Sequence, residues 1–127
     1  MDTKLYLAVV AVLSVVYGFM FVLFPAEALA FYGVTGQPHA EYNVQFFGSA
    51  LLGLSAIAWY ARSFRDWDAV RAVLIGGLVG EVLGLLLSCW GIKQGLLNAM
   101  GWSNVVVYVL LIAGALYCLR GRVTQAA

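Results

Sequence analysis

The sequence is poor in charge, in cysteine and in histidine, and each shortage excludes a class of protein. Only 10% of its 127 residues are charged and 64% are hydrophobic, where an ordinary soluble domain carries about 25% and about 45–50%. That composition rules out a water-soluble globule. Seven Lys plus Arg stand against six Asp plus Glu. So balanced and sparse a set makes no phosphate-tracking surface, which excludes nucleic acid as a partner. Two cysteines and one histidine supply neither a disulfide framework nor zinc-ligand spacing. His39 beside Glu41, with Glu27 nearby, lacks helical spacing, so no metal site is expected. The chain also has no Gly-rich phosphate loop, no Ser/His/Asp set, no facing histidine pair for haem and no carboxylate pair. No cofactor is expected, and an enzyme would have to act with Glu81, Tyr17 and little else.

What the sequence has is long apolar runs. A hydrocarbon core of about 30 Å needs about 20 residues of helix, and four stretches meet that length: residues 5–24, 42–61, 72–92 and 102–119. None shows the dyad alternation of a barrel, so the expected fold is all-α, a four-transmembrane-helix bundle in a single domain spanning residues 1–127. Lys4 before the first run and Ala28-Leu29-Ala30 after it resemble a cleaved signal. The apolar core is longer than the about 7–15 residues of such a signal, so a retained helix is expected.

Six of the seven cations fall on one side of the four runs: Lys4, Arg62, Arg65, Arg71, Arg120 and Arg122, with only Lys93 opposite. The positive-inside rule then places both termini inside, N-in/C-in. The four tryptophans and Tyr6, Tyr42, Tyr60 and Tyr117 fall at or near run ends, the aromatic belt of two interfaces. In the outer loop, Pro25, Glu27 and Gly33 suit the start, first turn and end of a short interfacial helix over residues 26–32. Gly36 and Pro38 are expected to turn the chain toward the second span.

At about 100° per residue, Gly77, Gly80, Gly84, Ser88 and Gly91 lie within about 100° of Glu81, while Val79, Leu83, Leu86 and Trp90 lie opposite. A similar stripe of Gln45, Ser49, Gly53 and Ala56 runs along the second span, opposed by Phe47, Leu54 and Ile57. Such small residues let membrane helices approach closely, so spans two and three are expected to pack tightly, with Gly53, Gly77, Gly80 and Gly84 as packing positions. Asp66 and Asp68 are placed to form rim ion pairs with the nearby arginines, worth little.

Glu81 is the one charge at lipid depth. Burying it costs about 2.5–3.5 kcal/mol on insertion scales, and the eleven Leu, Ile and Val of its span return on the order of 3–7 kcal/mol. With no cation at its depth it is expected to be neutral and to donate a hydrogen bond. Reckoned about 16 Å from the outer end of its span at 1.5 Å per residue, its depth matches Tyr17 or Ser14, then Ser49. Nearer the outer surface, Asn43, Gln45, Ser103 and Asn104, with Tyr108 one turn deeper, either cap helices and meet headgroups or line a shallow cavity with Glu81 at its floor. Cys89 and Cys118 read as packing residues, Met20 and Met100 as gap fillers.

The run Phe31-Tyr32-Gly33-Val34, then Asn43-Val44-Gln45-Phe46-Phe47-Gly48 and Leu51-Leu52-Gly53-Leu54, resembles the four-helix bacterial membrane proteins of the broad DoxX-like group. The resemblance implies a four-helix bundle in a bacterial cytoplasmic membrane and brings no activity to carry over. A second likeness is to small multidrug exporters, which match in length, span number and a single intramembrane glutamate. That family carries its acid in the first helix and has dual topology, both unlike this chain. The reading that follows is a non-catalytic accessory or interaction subunit, or an apolar-ligand-binding bundle, with Glu81 as buried anchor. Its partners would be the lipid bilayer together with a membrane protein, a second copy or an apolar small molecule. A proton-coupled exporter using Glu81 and a membrane enzyme acting on a lipid or quinone are the alternatives.

Overall fold

A computed structural model describes residues 2–126, with side chains through Gly121; Arg122, used in the cation count, lies beyond those side chains. Every regular element in it is helical: α1 (Thr3–Leu23), α2 (Pro25–Phe31), α3 (Pro38–Ala61), α4 (Trp67–Lys93) and α5 (Gly101–Ala126). α1, α3, α4 and α5 are each long and apolar enough to cross a membrane. Between 17% and 28% of their most apolar stretches is buried inside the protein, so most of the apolar surface faces outward. An outward apolar face of that extent needs an apolar surrounding.

Local chemistry sets the ends. Asp2 caps α1, its side chain accepting from Lys4 N at 3.3 Å. Pro25 opens α2 with Glu27 in its first turn. Gly33, at φ +85°, closes it: Val34 N donates to Leu29 O and Gly33 N to Ala30 O, both at 3.0 Å, a Schellman arrangement that only a residue tolerant of positive φ completes cheaply. Gly95 ends α4 in the same way, with Leu96 N donating to Gly91 O at 2.9 Å.

All four long helices start earlier than the apolar runs do, α3 and α4 by the most. Pro38 does not turn the chain; it is the first residue of α3, where its fixed φ suits a helix start and its missing N–H is not needed. α4 begins at Trp67 because Asp66 caps it, accepting from Asp68 N at 3.0 Å. The expected rim ion pairs give way to this cap and to Arg62, whose guanidinium lies 4.2 Å from the Trp59 ring centroid.

The helices associate as two antiparallel pairs, α1 with α3 and α4 with α5, with few contacts between α3 and α4. This corrects the expected tight packing of spans two and three. Along the first pair the register is constant: Ser55 Oγ donates to Ala11 O at 2.7 Å, Gly18 faces Gly48, and Gln45 Nε2 donates to Val22 O at 3.0 Å. A Cβ on Gly48 would stand 2.8 Å from Gly18 O, so the two backbones cross where neither residue has a side chain. In the second pair Tyr108 lies over Gly84 and Ile92 against Gly101. Gly53 and Gly80 meet nothing within 4 Å, and Gly77 meets only Glu81 of its own helix. Of the four expected packing glycines, Gly84 alone admits a neighbouring helix. The expected outward residues are exposed: Val79, Leu83, Leu86 and Trp90 on α4, and Phe47, Leu54 and Ile57 on α3.

The pairs meet at both ends. At the amino-terminal end Tyr6, Leu7, Ala61, Val70, Leu74, Ala115 and Cys118 form one buried cluster drawn from all four long helices. At the far end Phe21, Ala28 and Tyr32 form a second, with Tyr17, Met20, Val44, Leu51 and Leu97 packed against it. α2 is the bracket there, since Asn98 N donates to Tyr32 O at 2.9 Å and Asn98 Nδ2 to Phe31 O at 3.1 Å. Cys118 is a core residue as expected, whereas Cys89 is exposed.

Candidate functional site

Glu81 is 8% exposed, and its partner is Tyr6. The Tyr6 hydroxyl lies 3.0 Å from Glu81 Oε1 and 2.9 Å from Leu111 O, joining α1, α4 and α5 at one point. A phenol has one proton, and a backbone carbonyl only accepts. All three groups are satisfied when Tyr6 donates to Leu111 O and a neutral Glu81 carboxyl donates to the Tyr6 oxygen. A carboxyl protonated in that way would be the donating acid the sequence suggests, with Tyr6 as its partner in place of the residues expected. Glu81 Oε2 is buried with no hydrogen bond, a vacancy a neutral C=O tolerates better than an anion does.

Tyr17, Ser14 and Ser49 are displaced from that role by helix register. Depth reckoning aligns the spans at a common outer end, whereas in the structure Leu74 of α4 lies in the cluster around Tyr6 and Leu7, with Leu78 against it. Tyr6 therefore lies alongside the α4 segment leading to Glu81. Tyr17 packs instead against Phe21, the rings tilted and their centroids 6.0 Å apart. Ser14 is half-buried. Ser49 is exposed and donates to Gln45 O of its own helix at 3.0 Å.

The outer polar residues separate. Asn43 is exposed at the head of α3, and Gln45 ties α3 to α1. Ser103 donates to Met100 O at 2.6 Å, and Asn104 accepts from Tyr32 O–H at 2.8 Å. Tyr32 belongs to the connection after α2. Burial pushes its phenol above the ordinary value, the nearby Tyr17 adds to the rise, and hydrogen bonds with Ser103 and Asn104 oppose it. Tyr108 is within electrostatic reach of both Tyr17 and Glu81. Polar groups thus run through the bundle from Tyr6 and Glu81 to Tyr32 and Asn104. They join helices rather than line an open shaft.

Two cavities adjoin this column. One, of about 360 Å³, opens sideways and is lined by residues of α3, α4 and α5, among them Phe47, Gly80, Leu83, Leu87 and Tyr108. The other, of about 340 Å³, lies at the amino-terminal end, lined by Lys4, Arg62 and Val70 among others. Glu81 lines neither. Among the described residues no group of three His, Cys, Asp or Glu side chains is placed to hold a metal. Sequence reasoning missed Tyr6, Ser55 and Arg62. The stripe Leu7, Ala11, Ser14, Gly18 and Phe21, spaced by three and four, was the available signal for the buried side of α1.

Fold and site together define a small all-α bundle with four helices of membrane-crossing length and one interior acid. The chain belongs to the family described as Domain of unknown function (DUF8292), whose model matches residues 1–119 and so takes in every residue of the site. No curated protein and no solved structure matches the chain, so the DoxX-like resemblance rests on the quoted residues alone.

Proposed function

We propose that this is an integral membrane protein of a bacterial cytoplasmic membrane with both termini inside, a non-catalytic bundle that holds an apolar ligand and uses Glu81 as its internal anchor. The observation that carries the reading is the commitment of Glu81 to Tyr6. A transport acid needs a path to water and freedom to exchange its proton, whereas this one is 8% exposed and bound through a hydroxyl to two other helices. The sideways cavity supplies the ligand space. Its volume of about 360 Å³ falls in the lower part of the range of small-molecule sites, and its walls are mainly apolar, with the Tyr108 phenol and the Ser88 hydroxyl to orient a ligand.

Gly80 lines that cavity, and a Cβ there meets nothing within 4 Å, so Gly80→Leu fills it without disturbing the helix pairs. Mass spectrometry of lipids and small molecules extracted from purified protein is expected to find an apolar compound with the wild type and to lose it in Gly80→Leu. An unchanged extract would sink the ligand reading. Loss of a proton-driven transport activity in a folded Glu81→Gln protein would give the function to the exporter instead.

A further inference from the structure

The sideways cavity holds two hydroxyls that the packing of the bundle leaves unused. Ser88 on α4 and Tyr108 on α5 both line it, and neither side chain makes a hydrogen bond within the described residues. A hydroxyl taken out of water without a partner is costly, and a helical serine has the carbonyl one turn back as a ready acceptor. Ser88 is only 7% exposed, yet its Oγ is not sealed off as Glu81 Oε2 is, and neither is the Tyr108 hydroxyl. Both oxygens are therefore within reach of a molecule that enters the cavity.

The two hydroxyls share one wall. The Tyr108 hydroxyl lies over Gly84, 2.7 Å from where a Cβ on that residue would stand. Ser88 is one turn further along α4, and residues four apart on a helix carry their Cβ positions about 5–6 Å from each other. One acceptor atom with two lone pairs can take a proton from each hydroxyl at such a spacing. The rest of the lining limits what carries that atom. None of the described lining residues is charged, so an ionic head would enter without a counter-charge, while Phe47, Leu83 and Leu87 suit a hydrocarbon chain. Depth narrows the choice further. α4 has 27 residues and is about 40 Å long at 1.5 Å per residue, close to the about 40–45 Å of a bilayer with its headgroup layers. Ser88 stands about 8 Å before the Lys93 end of the helix, where headgroups give way to hydrocarbon. The neutral acceptors of a bilayer at that level are the ester carbonyls that join acyl chains to glycerol.

We propose that the cavity binds an acyl chain of a membrane glycerolipid by its ester carbonyl, which accepts from Ser88 Oγ–H and Tyr108 O–H. The headgroup stays outside, so its charge is not selected. This names the ligand of the site and rests on the membrane placement and the ligand space proposed above.

The test is native mass spectrometry of the full chain in detergent, stripped of lipid and titrated with ester-linked or ether-linked phosphatidylcholine of the same headgroup and chain length. The ether lipid differs in lacking the two carbonyls. The wild type is expected to retain the ester lipid about tenfold more strongly, the scale of one or two neutral hydrogen bonds. Ser88→Ala and Tyr108→Phe should each remove part of that preference, and the double variant should abolish it. Tyr42→Phe, which alters an exposed phenol outside the cavity, should behave as wild type. Gly80→Leu should lower retention of both lipids to one common level, and circular dichroism of each variant confirms the helices. Equal retention of the two lipids by the wild type, or a preference that survives in the double variant, would overturn the carbonyl contact. If Gly80→Leu still releases both lipids in that case, the ligand space stands without it. A Gly80→Leu protein that retains both lipids like the wild type would overturn the ligand reading itself and this proposal with it.

Discussion

At the scale of the residue, the three-way contact of Tyr6, Glu81 and Leu111 makes a prediction about the charge of the acid. If Glu81 is neutral and donates, Glu81→Gln keeps a donor of nearly the same shape in the same place. Its cost should stay below about 1 kcal/mol. Tyr6→Phe leaves both carboxyl oxygens buried without a partner and should cost about 1–3 kcal/mol. Unfolding of the purified variants in mixed micelles measures the difference. A Glu81→Gln protein destabilised as much as Tyr6→Phe would mean that the native carboxyl is an anion for which the amide is no substitute.

At the scale of the element, the helices were legible and their partners were not. Apolar run length located all four long helices, and Pro25 and Gly33 located α2, because a cap, a proline and a positive φ act within a few residues. Pair choice is a property of two surfaces at once. The stripe on α4 marks a helix able to approach another closely, yet Gly80 meets nothing and Gly84 receives Tyr108 from α5. For the same reason the acid was found from sequence and its partner was not: Glu81 stands out by depth alone, whereas Tyr6 depends on how α1 and α4 are staggered against each other. The glycines offer a direct check. A methyl group on Gly48 would press on Gly18 O at 2.8 Å and on Phe21 Cβ at 2.9 Å, so Gly48→Ala should destabilise by about 1–3 kcal/mol through overpacking. Gly53→Ala faces open space and should be neutral or stabilising by up to about 1 kcal/mol, from helix propensity alone. Thermal unfolding of the two proteins separates them, and equal behaviour would deny the close crossing of α1 and α3.

At the scale of the whole molecule, antiparallel pairing turns a list of charges into a polarity. Lys4 lies in the first turn of α1, Arg62 ends α3, Arg65 is in the turn before α4, Arg71 is near the start of α4, and Arg120 is near the end of α5. All five belong to one end of the bundle, and Lys93, in the last turn of α4, belongs to the other, beside the α2 bracket. Cations near span ends resist translocation across the membrane, so the end that holds five should remain in the cytoplasm. A reporter active only outside the cytoplasm is therefore expected to be active when inserted after Gly36 and silent when fused after Gly121. Activity at both positions would indicate the dual topology of small exporters. The reverse pattern would require the cation-rich end to cross. Neutralising Arg62, Arg65 and Arg71 together should weaken the bias, leaving Lys4 and Arg120 as the described cations that hold the amino-terminal end inside.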